Sequence, residues 1–330
     1  MRAAVLTDYG PPKVLRVEEV DKPTPGPDEV LVRVHASTVT AGDTELRTMK
    51  VPWLFEIPLR LWLGLLRPRR LMIPGMEVAG VIDAVGASVA RFAVGDAVFG
   101  GTGMGFGGNA EYVCVPAGGT MCIKPAALSF AAAATVPIGG LAALGYLRRG
   151  GIAQGQRVLV RGASGSIGTF AVQLAKHFGA HVTGVCGPES LERVRSLGAD
   201  EVLDYTAQEW TENGELYDLI VDVVGRMSVL RCLKSLTARG SYVRCTIPGA
   251  WEVLQALWVR VASRKRVVLG DAGESIEDLA FLGGLLDEKK IETIIDRRYS
   301  LEGIVEAHRY VETGQKQGHV VVTLRPADES

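Results

Sequence analysis

The chain has 330 residues, 47% apolar and 22% charged, an ordinary globular composition with length enough for two cores. Lysine plus arginine (36) nearly balance aspartate plus glutamate (37), for a formal net charge of -1, and nothing in this balance suggests the basic face that a nucleic-acid binder needs. The five cysteines (Cys114, Cys122, Cys186, Cys232, Cys245) form neither a CxxC pair nor a Cys/His cluster, which argues against a disulfide framework or a zinc knuckle and for the reducing cytoplasm.

The opening "MRAAVLTDYG" holds no apolar run of signal-peptide length. Over the first 120 residues, "AAVLTDYG", "VLRVEEV", "EVLVRVHAST", "VAGVIDAVG" and "AVFGG" read as short strands between Pro and Gly turns, a β-rich and partly barrel-like domain. Within it, "VPWLFEIPLRLWLGLLRPRRLMIPG" (51–75) is apolar and carries Arg60, Arg67, Arg69 and Arg70. Glu56, Pro58 and Arg60 interrupt it short of the ~20 apolar residues of a membrane span, so no transmembrane segment is expected. A helix packed on the fold, a lid over a pocket and a surface contact with a membrane all stay open for it.

From residue 157 the pattern changes. "RVLV" (157–160) is a buried strand, and Phe170, Leu174 and Phe178 then share one helix face. "HVTGVC" (181–186) is a strand, and "ESLERVRSLG" (189–198) a helix stopped by Gly198. "EVLDY" (201–205), "YDLIVDVVG" (217–225), a helix over 228–238 and "SYVRCTI" (241–247) follow. Strands alternating with helices mean βαβ units and an α/β fold with a doubly wound parallel sheet. The tail "GHVVVTLRP" (318–326) is a strand expected to return to the first domain.

The turn between the first strand and helix of that series reads A-x-G-x-x-G: Ala163, Gly165, Gly168. The first small residue permits the turn, Gly165 lets a pyrophosphate approach the backbone, and Gly168 lets the helix pack on the strand. The helix N-terminus offers N–H groups and a positive dipole end to phosphate, so Ala163, Ser164, Gly165, Ser166, Ile167 and Gly168 are cofactor-binding candidates.

These residues do not stand alone. "IPGMEVAGVIDAVGASVARFAVGDAVFG" (73–100), "GGNAEYVCVP" (107–116), "AAAATVPIGGLAALGYL" (131–147), "VRSLGADEVLDY" (194–205), "DLIVDVVG" (218–225) and "GHVVVTL" (318–324) occur in order with the glycine turn. Together they resemble the medium-chain dehydrogenase/reductase superfamily, and within it the zinc-independent quinone oxidoreductase branch. The resemblance implies a GroES-like catalytic domain (1–122 and 288–330), a Rossmann domain (123–287) and a nicotinamide cofactor held between them. It further implies a homodimer formed through the Rossmann sheet edge. By the same resemblance Pro137 in "TVPIGG", Val224, and Thr246 and Ile247 in "CTIPG" are expected beside the nicotinamide, with His319 of the tail reaching the cofactor.

Zinc members of that superfamily carry a Cys in the region that here reads "TVTAGD" (38–43), and "GHE" where this chain has Gly75-Met76-Glu77. Without those ligands, or a four-cysteine loop, no zinc is expected. Alcohol oxidation then lacks its electrophile, whereas hydride transfer to an electron-poor quinone or enone needs mainly orientation and a dry pocket.

An NAD-preferring Rossmann domain places a carboxylate about 20 residues past the glycines. Cys186 stands there, which favours NADPH, with NADH the alternative; Glu189 is unfavourable to a 2′-phosphate if it points inward. Ser190, Arg193, Tyr205 and Lys316 are candidates to compensate. On the substrate side Thr40 replaces the family's Asn and Asp43 is retained; both are catalytic candidates, Asp43 also a structural acceptor of backbone N–H groups. Tyr112, His35 and Tyr9 are alternative proton donors, or solvent supplies the proton. The expectation is a zinc-independent NAD(P)H oxidoreductase acting on a quinone or α,β-unsaturated carbonyl. The alternatives are an aldehyde/ketone or enoyl reductase, and a non-catalytic nicotinamide sensor or partner-binding protein.

Overall fold

The structure is a computed structural model and describes residues 1–51, 53–69, 72–270 and 272–325. Arg70, one of the basic residues of the apolar insert, lies outside the described residues. In chain order, the first elements are β1 (Arg2–Leu6), β2 (Leu15–Glu19), β3 (Glu29–Val39), α1 (Ala41–Thr48), α2 (Trp53–Leu63) and β4 (Glu77–Val85). Next come β5 (Ala97–Gly101), β6 (Tyr112–Pro116), β7 (Met121–Ile123), α3 (Phe130–Ala133) and α4 (Val136–Gly150). The alternating series is β8 (Arg157–Arg161), α5 (Ser166–His177), β9 (His181–Cys186), α6 (Leu191–Ser196), β10 (Glu201–Asp204), β11 (Tyr217–Asp222), α7 (Val229–Cys232), β12 (Leu236–Arg244), α8 (Ala250–Ala262) and β13 (Arg266–Val268). The chain closes with α9 (Ile276–Asp287), β14 (Ile295–Ser300), α10 (Ile304–Glu312) and β15 (His319–Thr323).

By packing, these elements form two compact units: Met1–Ile138 with Ser275–Lys289 and Thr293–Ser330, and Gly139–Glu274 with Lys290–Glu292. The stretches 123–138 and 275–287, read from sequence as part of the Rossmann half, fall in the first unit. There α9 packs on β7, and Gly283 comes close to Phe99 and Pro125.

The first unit is built on a mixed sheet of order β14-β15-β3-β4-β5-β7, with β6 also on β3 and a separate β1-β2 hairpin. Period-two alternation sends Val30, Val32 and Val34 of β3 into one core with Val78 and Ile82 of β4. Ile304, Ala307 and Val311 of α10 follow the helical period and seat on the same core. The tail strand β15 pairs antiparallel with β3. The insert forms α2, with Leu63 fully buried and Trp62 set against Phe106, while Ile57, Leu61, Leu65 and Leu66 face outward.

In the second unit all strands are parallel, in the order β10-β9-β8-β11-β12-β13. Strand order reverses between β8 and β11, β9 and β10 being added on one side and β12 and β13 on the other, and this is the switch point at which such sheets bind ligands beyond their carboxyl ends. The sequence expected a helix to 238 and a strand from 241; instead β12 already starts at Leu236. Gly240 lies within β12, close against the Tyr217 carbonyl, and the β11–β12 register shifts between Tyr217 and Leu219 to accommodate the irregularity. The stretch Phe130–Gly150 is long and apolar enough to cross a membrane, but 72% of its 18-residue apolar window is buried inside the protein, as expected of a core helix.

Candidate active site

The left-handed residue of the glycine turn is Gly162, at φ 82, one position before the A-x-G-x-x-G count begins. A Cβ at Gly168 would collide with the Gly162 carbonyl and lie 2.8 Å from Ala163 Cα, so this glycine is needed for α5 to sit on β8. A Cβ at Gly165 would meet nothing closer than 3.5 Å. The protein itself therefore leaves the space beside Gly165 open. Gly165 caps α5 without a side chain, and the first N–H groups of a helix have no carbonyl one turn earlier to bond. Backbone donors, a dipole end and an open glycine face suit a pyrophosphate.

Cys186 ends β9, buried, and its thiol is pushed up to about 11 by burial and then by the Glu189 and Asp204 carboxylates. Such a thiol stays protonated and unreactive. The chain then turns through Gly187–Ser190, closed by Ser190 N–H donating to the Gly187 carbonyl at 3.0 Å. Ser190 is completely buried, and its hydroxyl has no hydrogen-bond partner among the described residues. Tyr205 donates its N–H to the Cys186 carbonyl at 3.1 Å and leaves its ring exposed. The polar groups around this strand end fit a ribose.

Sequence reasoning missed the residue that organises the neighbouring strand ends. Asp222, fully buried at the end of β11, accepts from Arg161 of β8 at 3.2 Å and from the Tyr242 hydroxyl of β12 at 2.8 Å. It also accepts the Val224 N–H at 3.0 Å and the Gly225 N–H at 2.9 Å, which fixes the turn carrying Val224. Gly225 (φ 64) packs against Thr246, where a Cβ would lie 2.9 Å from the threonine Cβ. Thr246 in turn accepts from Arg244 Nε at 3.0 Å, and Ile247 is exposed. Ala163 to Gly168, Cys186, Ser190, Tyr205, Val224, Thr246 and Ile247 thus all lie at or just beyond carboxyl ends of the parallel strands.

The first unit holds the remaining candidates. Thr40 and Asp43 form a capping box at the start of α1. Asp43 Oδ2 accepts from Thr40 N–H at 2.8 Å and from the Thr40 hydroxyl at 2.7 Å, while Oδ1 accepts from Gly75 N–H at 3.1 Å. Thr40 therefore spends its only O–H on its own helix cap. Glu77, also missed from sequence, is completely buried. It accepts from the Thr38 hydroxyl and, at 2.7 Å, from the Ile138 N–H in the first turn of α4, next to buried Pro137. Burial pushes its carboxyl up to about 8, and the Asp43 charge adds to this; Thr38, Ile138 and Lys316 pull the other way. Burial likewise draws Lys316 down to about 8 against the pull of Glu77 and Asp296. Its ammonium donates to the Gly318 carbonyl at 3.0 Å. His319 is buried, with Nδ1 3.2 Å from the Ile294 carbonyl; burial and Lys316 lower it to about 3, so the ring is neutral at physiological pH.

Of the sequence-level proton donors, Tyr9 donates to the Gly64 carbonyl at 2.8 Å, the Tyr112 oxygen accepts from Arg325 at 3.4 Å, and His35 stacks on Phe130 at 4.2 Å. At the positions where zinc members hold ligands, a Cβ at Gly42 would stand 3.4 Å from Met76 Sδ and 3.5 Å from Thr40 Oγ1. A neutral thioether and a committed hydroxyl are no donor set for a zinc ion. Among the described residues no group of three His, Cys, Asp or Glu side chains is placed to hold a metal.

Comparison with known proteins gives the family. Residues 26–125 match the alcohol dehydrogenase GroES-like domain, and residues 197–322 match a zinc-binding dehydrogenase domain. The chain is 30% identical to a chloroplastic quinone-oxidoreductase homolog of Spinacia oleracea, over 98% of each protein. It is 31% identical to the 2-methylene-furan-3-one reductase of Solanum lycopersicum, over 98% of this chain and 79% of that protein. The structure of the quinone oxidoreductase from Coxiella burnetii superposes with a TM-score of 0.88 at 28% identity, covering 98% of this chain and 99% of that one. With a GroES-like half, a doubly wound dinucleotide half and relatives aligned end to end, the chain belongs to the medium-chain dehydrogenase/reductase superfamily, in its quinone-oxidoreductase-like branch.

Proposed function

We propose that this chain is a zinc-independent NAD(P)H-dependent oxidoreductase that reduces quinones or α,β-unsaturated carbonyls. One observation carries the reading: an open glycine turn built for a dinucleotide occurs in a chain whose zinc-ligand positions hold Met76 and a hydroxyl already bound to Asp43. A reduced nicotinamide, when bound, supplies a hydride. The residues Gly165 to Gly168 would hold its phosphates, while Asp222 fixes the turn at Val224 and Gly225 and Glu77 holds the start of α4. A quinone or enone is electrophilic enough to need no Lewis acid. The names of the spinach and tomato relatives, a quinone-oxidoreductase homolog and a furanone reductase, support this acceptor class. Tyr9 has its proton engaged by the Gly64 carbonyl, and we assign the final proton to solvent.

The test is turnover by protein treated exhaustively with chelator, following nicotinamide absorbance with a quinone, an enone and an aldehyde as acceptors. Quinone- or enone-dependent oxidation that persists without metal is expected. Activity that requires added zinc, or that appears only with the aldehyde, would overturn the reading.

We also propose a homodimer. The outward face of α8 carries Trp251, Leu254, Trp258 and Val261 at helical spacing beside the edge strand β13, an apolar face larger than a lone soluble helix usually shows. Free thiols on all five cysteines support a reducing compartment, which we take to be the cytoplasm.

A further inference from the structure

We infer that this chain selects NADH over NADPH, with the Glu189 carboxylate receiving the adenine-ribose hydroxyls from the turn after β9. The inference rests on the nicotinamide reading above and concerns which form of the cofactor the second unit takes. The sequence expectation of NADPH came from Cys186, which stands where a ribose-binding carboxylate is usual. The structure supplies a carboxylate three residues later and holds it over the same strand end. The turn Gly187–Ser190 is closed by its own hydrogen bond, and Glu189 folds back across it: a Cβ at Gly187 would lie 2.7 Å from Glu189 Oε1 and 2.9 Å from Oε2. Glycine at 187 is therefore what lets the carboxylate rest on the turn. The next residue, Ser190, is completely buried and offers a hydroxyl with no hydrogen-bond partner among the described residues.

The charge at this strand end has the wrong sign for a 2′-phosphate. Asp204, at the end of the neighbouring strand, pairs in register with Cys186, and the Cys186 thiol feels both the Glu189 and the Asp204 charge. Arg193 stands one helical turn beyond Glu189. One guanidinium against two carboxylates leaves no net positive charge for a phosphate dianion. A ribose diol asks for the opposite: a carboxylate that accepts two O–H groups and a nearby hydroxyl.

The experiment is titration of NADH and NADPH into the intact chain and three variants, read by nicotinamide fluorescence rather than turnover. In the wild type, NADH should bind at least about tenfold more tightly than NADPH, the ratio expected of a single charge-assisted hydrogen bond. Glu189→Gln should narrow the gap and Glu189→Arg should reverse it. Gly187→Ala keeps the charge but displaces the carboxylate at little cost to folding, so it too should narrow the gap. Tighter NADPH binding by the wild type, or an NADH preference unchanged in Glu189→Gln, would overturn the inference. If neither dinucleotide binds to protein with native circular dichroism, the nicotinamide reading itself fails, a result distinct from a failure of selectivity alone.

Discussion

Substituting Gly165 and Gly168 separately distinguishes a ligand-binding turn from a merely tight one. At Gly168 a methyl group would lie 2.8 Å from Ala163 Cα, where carbon atoms need about 3.5 Å, and would also meet the Gly162 carbonyl. Neither obstacle is a flexible side chain, so α5 must move off β8. Overpacking of this kind costs about 3 kcal/mol. At roughly 3 °C per kcal/mol, Gly168→Ala should lower the melting of the second unit by about 10 °C. Gly165 differs, because its φ of -82 and ψ of 178 suit any residue and its Cβ position is open. Alanine is a poorer N-cap than glycine by up to about 1 kcal/mol. It recovers about 0.4–1 kcal/mol by restricting the unfolded chain. Gly165→Ala should thus melt close to the wild type yet bind dinucleotide at least about tenfold more weakly, because its methyl fills the face offered to the pyrophosphate. The assay is thermal circular dichroism paired with nicotinamide fluorescence titration. Wild-type affinity in Gly165→Ala would refute the reasoning, since the open face would then have no ligand.

Thr40→Ala should cost about 1 kcal/mol of first-unit stability through the lost cap. It should leave kcat nearly unchanged, whereas loss of a general acid would cost about a hundredfold or more; steady-state kinetics with an enone decides. Burial raises Glu77 to about 8 in the fold, from an ordinary carboxylate value when unfolded. A raised value gives stability that is fully present below the unfolded pKa and lost as pH rises through the folded one. Stability should therefore fall between about pH 4.5 and 8 in the wild type, and this slope should flatten in Glu77→Gln, as measured by urea unfolding across that window. Lys316, drawn down to about 8, acts the other way above that value, so Lys316→Met should remove a recovery of stability at alkaline pH. Trp258→Glu places a charge on the outward face of α8 and should convert a dimer to a monomer in sedimentation, with the melting temperature little changed.

The dinucleotide half was readable from the sequence because its signals are local. Strand and helix periods alternate, and three glycines mark the one turn where side chains must be absent. The capping box was also there to be read, since Thr40 just before a short helix and Asp43 in its first turn stand three apart, the spacing of mutual N-cap bonds. Glu77 and Asp222 were not legible. A glutamate after Gly75-Met76 and an aspartate inside "LIVDVV" look like ordinary polar residues. Their roles arise only when distant segments meet: Thr38 and Ile138 around one, and strands β8 and β12 around the other. Glu189 was legible as a charge but not as a geometry, because nothing in the sequence says that its carboxylate lies back over Gly187.

The most direct test of the proposed chemistry uses chelator-treated protein, nicotinamide deuterated at the transferable C4 position, and a simple enone. Transfer of the label to the β-carbon of the reduced product, read by mass spectrometry, is the expected result. A reduced product carrying no label, or label transfer only after zinc is restored, would contradict hydride delivery by a zinc-independent site.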